Sequence, residues 1–288
     1  MPSSALPSLP PARINQAVTL ALAEDMGDAG DITSAAVLPA HATAHAQIIA
    51  RETGCIAGLG LAEAAFALSD PAIRVTCHLD DGADVTPGTA VLDVEGNARA
   101  ILGAERVALN FLGHLSGIAS TTQAIVTAVA GHRAKICCTR KTTPGLRIFE
   151  KHAVRTGGGV NHRFGLYDGI LIKDNHIAIA GGIDPAIEAA LAQAGHMVSV
   201  EVEVDDLAQL HQALVHPVDA ILLDNMTTDE LAEAVKIIDG RVISEASGRV
   251  TVDTAPAIAA TGVDLISVGW ITHSAPCLDF GLDYAPTD

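Results

Sequence analysis

The second half of the chain alternates short apolar segments with helical patterns, and this rhythm limits the possible folds more than any other feature. From Lys135 onward the apolar segments have the length of strands, and the later ones recur about every 22 residues, the spacing of βα units in a parallel sheet. The predicted strands are residues 134–139, 169–173, 198–204, 220–223, 241–245 and 265–268. The predicted helices are residues 185–194, 206–215, 229–238 and 253–260, several of which begin with an aspartate that can cap a helix. The sequence therefore predicts a parallel α/β architecture, either a barrel or a doubly wound sheet.

Polar side chains follow the predicted strands directly, which distinguishes these two architectures. They lie at residues 139–141, 173–176, 201 and 203, 224–225, 245–248 and 267–269. A βα-barrel brings the residues after every strand together at its C-terminal face, whereas a doubly wound sheet concentrates them at one switch point. The pattern favours an α/β barrel, TIM-like but incomplete or irregular.

The first half of the chain has a mixed pattern that indicates a smaller α/β domain. Helices are predicted over residues 12–25, 61–68 and 104–130, the last one interrupted near Gly113 and Gly117, and strands over 47–51, 73–78 and 90–95. Residues 1–11 are predicted to be a disordered tail. We place the smaller domain at residues 12–115 and the barrel domain at residues 116–270.

Basic residues are concentrated in one segment of an acidic chain. The chain has 17 lysines and arginines against 34 acids, yet nine of the bases and only two of the acids lie within residues 133–173. Such a segment fits a focused site for a small, highly negative ligand, and a basic surface helix that serves as an interface is the alternative. The net charge of −17 and the aromatic content of 3% argue against binding to nucleic acid.

The remaining composition points to the cytoplasm. The apolar runs are far shorter than the roughly 20 residues of a membrane span, so no membrane association is predicted. The five cysteines include no C-x-x-C pair, which argues against a disulfide framework and against a zinc site. The first residues also lack the features of a secretory signal peptide.

Two motifs in the basic segment predict an anion site. The run 139–141 places an arginine beside a lysine at a strand end, a pair that suits carboxylates or phosphates. Three glycines at 157–159 precede His162 and Arg163, and they would let backbone N–H groups approach an anion closely. A flexible lid that carries exposed bases is the alternative.

Three acids lie near the ends of two neighbouring strands. Glu201 and Glu203 alternate along one strand and therefore face the same side of the sheet, and Asp224 ends the next strand. Unpaired carboxylates in a core are costly, so these acids should meet Lys141, Lys173 or a Mg²⁺ ion held partly by a phosphorylated substrate. A structural layer of ion pairs is the alternative.

The loops after the last two strands carry small residues. They are Ser247–Arg249 and Gly269, and βα-barrels commonly hold a phosphate at these two loops. The residues alone thus predict a βα-barrel enzyme for a polyanionic, phosphate-bearing substrate.

Longer strings of the sequence can be compared with known families, namely residues 24–34, RVALNFL, LSGIA, TRKTTPGLR and GGGVNHRFGLYDGILIKDNH. These strings resemble quinolinate phosphoribosyltransferases, most strongly in the last two. The shorter strings EVEV, LLDN, EASG and ISVG also fit, so that the resemblance runs from residue 24 to about residue 274.

The resemblance implies a fold and a reaction. The fold would combine an open α/β sandwich, to which residues 271–288 return, with an α/β barrel. The reaction would join quinolinate to phosphoribosyl pyrophosphate, giving nicotinate mononucleotide, pyrophosphate and CO₂ in NAD synthesis. The enzyme would be a pentosyl transferase of the nicotinate-nucleotide diphosphorylase (carboxylating) type.

The resemblance also implies roles for individual residues. The implied substrate-binding residues are Arg106, Thr139, Arg140, Lys141, His162, Arg163, Lys173, Glu203, Asp224, Ser247, Gly248, Arg249 and Gly269. Among them the quinolinate site would be lined by Arg140, His162, Arg163 and Lys173. The implied catalytic residues are Lys141, which would lie between the two substrates, Lys173, Glu203 and Asp224.

Metal binding and assembly follow from the same resemblance. Glu203 and Asp224 would hold Mg²⁺ together with phosphoribosyl pyrophosphate, with Glu201 as a possible further ligand, and the 247–249 loop and Gly269 would take the 5′-phosphate. Arg106 would reach the site of a neighbouring subunit. A homo-oligomer is therefore predicted, either a dimer or a hexamer of dimers.

Three features, at four positions, depart from the family's pattern. Cys138 stands where aspartate is usual, Arg249 and Val250 replace the usual Gly-Ile, and Trp270 follows the last strand. We expect Arg249 to add a phosphate contact or to change the loop, and Trp270 to pack between the domains. Two other functions remain open: a related phosphoribosyltransferase with another substrate, and a catalytically silent anion-binding protein.

Overall fold

The computed structural model describes residues 9–284, which form two compact units. Among the described residues, the first unit takes 9–121, 148–157 and 274–284, and the second takes Thr122–Arg147 and Gly158–His273. The segment 148–157 thus groups with the first unit, whereas the sequence placed it in the barrel domain. The predicted tail at 1–11 lies mostly outside the described residues, and the first helix begins at Pro11.

The first unit combines helices with short antiparallel strands. Its helices are α1 (Pro11–Met26), α2 (Ile32–Val37), α3 (Leu59–Ser69), α4 (Ala98–Ala128), which continues into the second unit, and α5 (Arg147–Thr156). Its strands are β1 (Thr43–Ala50), β2 (Gly54–Cys55), β3 (Arg74–Cys77), β4 (Asp84–Val85), β5 (Ala90–Asn97) and the last strand of the chain, β12 (Phe280–Tyr284).

Four of these strands form one sheet in the order β12-β1-β5-β3. In β1 every second residue is buried, because successive side chains of a strand point to opposite faces. Strand β12 pairs antiparallel with β1, with Ile48 opposite Leu282. The C-terminal segment therefore returns to the smaller unit, as the resemblance implies.

Helix α4 runs without interruption, so the predicted break near Gly113 and Gly117 is wrong. These glycines serve close packing instead of breaking the helix. A Cβ atom on Gly117 would lie 1.9 Å from the carbonyl oxygen of Pro276, and one on Gly113 would lie 2.9 Å from that of Leu278. Only glycine lets the 276–278 backbone approach the helix this closely.

This contact predicts a large effect of one methyl group. We expect Gly117→Ala to lower the free energy of unfolding by about 3 kcal/mol, because rigid backbone at Pro276 must move to make room. Gly103→Ala in the same helix is the matched control, since its Cβ would meet only the flexible end of Met26. Urea denaturation measures both variants, and equal stabilities would contradict the packing role of Gly117.

The second unit is built from alternating strands and helices. Its strands are β6 (Lys135–Cys137), β7 (Ile170–Ile172), β8 (Val200–Val204), β9 (Ala220–Asp224), β10 (Ile243–Ser247) and β11 (Leu265–Ser267). Its helices are α6 (Asp174–Ala180), α7 (Ile183–Gln193), α8 (Leu207–Ala213), α9 (Thr228–Ile238), α10 (Ala255–Ala260) and α11 (Trp270–His273).

All six strands of the second unit are parallel, in the order β6-β11-β10-β9-β8-β7. Each strand from β7 to β11 pairs with the next in sequence, and β11 pairs back to β6, which is barrel connectivity. The barrel is incomplete between β6 and β7, where a single bridge joins Cys137 to Val160. The predicted fold class, an irregular α/β barrel with a smaller α/β unit, is confirmed.

The helix caps agree with the sequence in part. The Asp206 side chain accepts a hydrogen bond from Gln209 N–H at 2.8 Å and caps α8, as predicted. Helix α9 is capped by Thr227 and Glu230 rather than by Asp229, and α10 starts after Thr254 without a side-chain cap. None of the helices described for residues 9–284 combines the length and the apolar character that crossing a membrane requires.

Candidate active site

A cavity of about 270 Å³ lies within the second unit, at the carboxyl ends of its parallel strands. Its wall contains residues at or near the carboxyl ends of all six strands, which is the convergence expected of a βα-barrel. The residues that line it are Thr139, Arg140, Lys141, His162, Arg163, Leu171, Lys173, Glu203, Leu222, Asp224, Glu245, Ser247 and Ser267.

A second depression of about 380 Å³ adjoins this cavity. The two share Thr139, Lys141, Asp224, Ser247 and Ser267 in their walls. The second depression also takes in residues that follow β9, β10 and β11, namely Asn225, Gly248, Arg249, Val250, Val268, Gly269, Trp270 and His273. The arrangement offers two neighbouring subsites with a common wall.

The structure brings almost all predicted site residues to these two depressions, and their individual roles stay predictions. Two residues lie elsewhere. Arg106 is exposed on α4 in the first unit, where it lines a separate depression with Asn110 and Asp279. Glu201 is 8% exposed and does not line the cavity.

Two arginines give the cavity its anion-binding character. The Nε atoms of Arg140 and Arg163 are buried and have no hydrogen-bond partner among the described residues. Arg163 is held in place because its Nη1 donates to the carbonyl oxygen of Gly169 at 2.8 Å. Burial, and then the positive charge of Arg140, lower the pKa of Arg163 from its usual value, but a guanidinium remains charged in a protein. Two buried donors without acceptors, on fixed positive charges, fit an anionic ligand.

The lysines of the cavity are positioned by neighbouring groups. Lys173 Nζ forms an ion pair with Glu203 Oε2. The backbone oxygen of Lys141 accepts a hydrogen bond from Thr272 Oγ1 at 2.7 Å. A Cβ on Gly269 would lie 2.9 Å from Cδ of Lys141, so glycine leaves room for this lysine stem. Lys141 lies in the wall that both depressions share.

The carboxylates at this wall suit a magnesium ion that is bound chiefly through substrate. Glu203 and Asp224 supply oxygen ligands, which Mg²⁺ prefers, but Glu203 is already paired with Lys173 and Asp224 accepts a hydrogen bond from Asn225. Two carboxylates do not make a complete protein cage, and Mg²⁺ usually completes its shell with water and phosphate oxygens. Glu203 and Asp224 would hold a Mg²⁺ ion only together with oxygen ligands from a bound phosphate compound.

His162 has both ring nitrogens engaged by the protein. Its Nδ1 accepts the backbone N–H of Arg163 at 2.8 Å, and its Nε2 lies 2.9 Å from Glu201 Oε2. Because Nδ1 accepts a hydrogen, Nε2 must carry the ring proton and donate it to Glu201. His162 was predicted to line the quinolinate site, and it does line the cavity, but in this geometry its ring nitrogens serve Glu201 and the Arg163 backbone.

The loop after β10 is tightly packed. A Cβ on Gly248, whose φ is +108°, would lie 2.3 Å from Oδ1 of Asn225. Arg249 has a φ of +45°, a left-handed conformation that is uncommon for a residue with a side chain. Trp270 donates from Nε1 to the carbonyl oxygen of Val250 at 2.7 Å, so the indole fastens this loop within the second unit, and its packing between domains stays a prediction.

Other parts of the basic segment do not join the site. Gly157 donates its N–H to Ala153 at the end of α5, and the glycines at 157–159 line neither depression. Lys151 is fully buried in α5, which contradicts a basic surface helix at that residue. Cys138 is buried, with its Sγ 3.3 Å from Asn161 Oδ1.

Four residues that line the cavity were not predicted as site residues, namely Leu171, Leu222, Glu245 and Ser267. Leu171 and Leu222 give the cavity apolar wall, and the apolar pattern of a strand does not distinguish such positions from ordinary core. Glu245 stands out in the sequence only as one of the polar residues near a strand end. Burial, and then the negative charge of Glu201, raise the pKa of Glu245 to about 7. The charges of His162 and Lys173 and the hydrogen bond with Ser267 act in the opposite direction.

Comparison with known proteins identifies the family. Residues 31–116 match the family described as quinolinate phosphoribosyl transferase, N-terminal domain, and residues 118–283 match the C-terminal domain of the same family. The chain belongs to the quinolinate phosphoribosyltransferase family. The resemblance seen in the sequence is thereby confirmed.

Individual members of the quinolinate phosphoribosyltransferase family are similar to this chain over nearly its whole length. A probable nicotinate-nucleotide pyrophosphorylase [carboxylating] of Bacillus subtilis is 44% identical over 260 residues, 90% of this chain and 89% of the relative. Quinolinate phosphoribosyltransferase [decarboxylating] 1b of Nicotiana tabacum is 42% identical, over 96% of this chain and 83% of the relative. The crystal structure of NadC from Streptococcus pyogenes is similar to the structure of this chain, with a TM-score of 0.92. The two sequences are 43% identical, and the match covers 97% of this chain and 99% of that one.

Proposed function

We propose that this protein transfers the phosphoribosyl group of phosphoribosyl pyrophosphate to quinolinate, with decarboxylation, giving nicotinate mononucleotide, pyrophosphate and CO₂ for NAD synthesis. The supporting observation is the pair of adjoining depressions with a common wall. One depression presents the two buried, unpartnered arginine Nε atoms that a dicarboxylate requires. The other presents the small-residue loops after β10 and β11 that suit a phosphate.

The first task of the site is to hold two anions beside each other. Quinolinate carries two carboxylates, and phosphoribosyl pyrophosphate is also highly negative, so the substrates repel each other. Arg140 and Arg163 neutralise the dicarboxylate, and Lys141 stands in the shared wall. Holding the reactants within reacting distance lowers the barrier by several kcal/mol, on the order of what well-oriented intramolecular reactions gain.

The ring nitrogen of quinolinate needs no general base, because its lone pair is free to attack the ribose carbon. As the bond to pyrophosphate breaks, positive charge develops at that carbon and negative charge on the leaving group. Glu203 and Asp224 lie in the wall where they can oppose the positive charge, and the lysines oppose the negative charge. Mg²⁺, held by Glu203, Asp224 and the substrate phosphates, would neutralise the pyrophosphate.

Decarboxylation then follows from the product of the first step. Once the ring nitrogen carries ribose it is cationic, and the electron pair left by departing CO₂ is stabilised beside it. A proton completes nicotinate mononucleotide. The residues of the cavity hold the second carboxylate in place throughout, which keeps the intermediate bound.

A product assay tests this function. Incubation with quinolinate, phosphoribosyl pyrophosphate and Mg²⁺ should release CO₂ and pyrophosphate in equal amounts, and chelation of Mg²⁺ should stop both. Turnover of nicotinate but not of quinolinate would indicate a related phosphoribosyltransferase instead. Binding of quinolinate without any product would indicate a silent anion-binding protein.

We also propose that the chain works as a homo-oligomer, a dimer or a hexamer of dimers. The support is Arg106, which the family resemblance assigns to a neighbouring subunit's site and which is exposed on α4. Glu201 is left out of the proposed magnesium site, because its carboxylate accepts the His162 hydrogen bond.

A further inference from the structure

Glu245 is a buried acid in the cavity wall to which the proposed reaction gives no part. It lies on β10, lines the cavity and is only 1% exposed. Its Oε1 atom has no hydrogen-bond partner among residues 9–284. A buried polar atom without a partner costs free energy, so a native structure that keeps one calls for an explanation.

The groups that face Glu245 decide which acid of this cluster carries a proton. Glu201 comes from β8, His162 from the segment before β7, Lys173 from the end of β7 and Ser267 from β11. Glu201 Oε2 accepts the Nε2–H of His162 at 2.9 Å. Glu245 Oε1 is 3.8 Å from the same nitrogen and receives no hydrogen bond. Two buried carboxylates cannot both ionise cheaply, so the proton belongs on Glu245.

A metal ion does not fit this cluster, although His162, Glu201 and Glu245 bring their ligand atoms within 4.8 Å of one another. A metal at Nε2 of His162 would need the lone pair of that nitrogen. The lone pair of the ring is already on Nδ1, where it accepts the backbone N–H of Arg163. The cluster is therefore built to hold protons and not a cation.

We propose that Glu245 is a further substrate-binding residue, a neutral carboxylic acid whose O–H donates to an anionic oxygen of the molecule bound beside Arg140 and Arg163. The inference rests on the proposed function, since it takes that molecule to be quinolinate. The Ser267 side chain hydrogen-bonds to the Glu245 carboxyl group, but Oε1 has no partner among residues 9–284, so a proton on that oxygen has no acceptor in the described protein. A carboxylate of quinolinate brings one into the cavity, and the raised pKa of Glu245, about 7, agrees with a protonated acid near neutral pH.

Two substitutions separate this role from a purely structural one. Glu245→Gln keeps the size and a hydrogen-bond donor but cannot ionise, and Glu245→Ala removes the donor. Calorimetric titration of quinolinate should give a Kd for Glu245→Gln within about threefold of the unsubstituted protein. For Glu245→Ala the Kd should rise about 30-fold, as expected for one lost hydrogen bond to a charged group, while the KM for phosphoribosyl pyrophosphate stays the same. Glu188→Ala, an exposed glutamate of α7, is the matched control.

The pH dependence gives an independent readout. Because the raised pKa leaves Glu245 neutral below about pH 7 and charged above it, quinolinate affinity should be full at acidic pH and fall as the pH rises through about 7. In Glu245→Gln this alkaline decline should disappear.

The proposal is overturned if Glu245→Ala binds quinolinate as the unsubstituted protein does, if Glu245→Gln is as weak as Glu245→Ala, or if the alkaline decline persists in Glu245→Gln. Thermal melting of each variant shows that it is folded when titrated. Failure of the proposed function looks different, because the unsubstituted protein would then neither bind nor convert quinolinate.

Discussion

Arg140→Ala should raise the KM for quinolinate about 100-fold and leave the KM for phosphoribosyl pyrophosphate within about threefold. The buried Nε of Arg140 has no partner in the protein, so its hydrogen bond and charge are available to a substrate carboxylate. Loss of a charge-assisted, two-pronged contact costs about 3 kcal/mol, and 1.4 kcal/mol corresponds to a factor of ten. Steady-state kinetics with each substrate varied in turn measures the effect.

Two further variants sharpen this prediction. Arg140→Lys keeps the charge but lacks the planar fork, so it should recover part of the loss. Arg133→Ala removes a base from the same segment that forms an exposed ion pair with Asp264 and does not line the cavity, and its kinetics should be normal. Near-normal kinetics of Arg140→Ala would remove this residue from the site.

Gly248→Ala should have the opposite selectivity, raising the KM for phosphoribosyl pyrophosphate about 30-fold with little change in the Kd for quinolinate. The added Cβ would lie 2.3 Å from Oδ1 and 3.0 Å from Cα of Asn225, and the φ of +108° is strained for alanine. The loop after β10 must therefore move, and with it the wall of the second depression. A strain of about 2 kcal/mol expressed in binding gives this factor.

Gly131→Ala controls for the backbone strain alone. Gly131 has a similar φ of +93°, but nothing lies within 4 Å of its Cβ position and it lines neither depression. It should lose stability without a change in either KM. If Gly248→Ala instead weakens quinolinate and phosphoribosyl pyrophosphate equally, the assignment of two separate subsites is wrong.

The sequence predicted the site best where the order of strands and helices along the chain determines which residues come together. In a barrel of parallel strands every strand end reaches the same face, so the order of strands and helices along the chain is enough to place residues 139–141, Lys173, Asp224 and Ser247 together. The repeating strand spacing, and not any single motif, carried that inference.

The local charge pattern was a poorer guide. Nine bases crowd residues 133–173, yet only four of them line the cavity: Arg140, Lys141, Arg163 and Lys173. Lys151 is buried in α5 within the first unit, and Arg133 pairs with Asp264. Charge density along a chain does not record which face of a helix each residue occupies, or that α5 would leave the barrel unit.

The partners of the buried acids could not be predicted from the sequence, for a similar reason. Glu201 and Glu203 share one face of β8, and both were expected to meet a lysine or a magnesium ion. In the structure Glu203 forms an ion pair with Lys173, and Glu201 forms a hydrogen bond with His162. The difference of two residues along a strand is about 7 Å of depth in the barrel, and the partner available at each depth comes from distant parts of the chain.

The central claim is that strand-end cations of the second unit hold a dicarboxylate beside the phosphate-binding loops. A crystal structure of the protein soaked with quinolinate tests it most directly. The account predicts one quinolinate in the cavity, with carboxylate oxygens in hydrogen-bond contact with Nε of Arg140 and of Arg163 and its ring nitrogen facing the second depression. Quinolinate bound elsewhere, or in the cavity with both arginine Nε atoms still unpartnered, would contradict it.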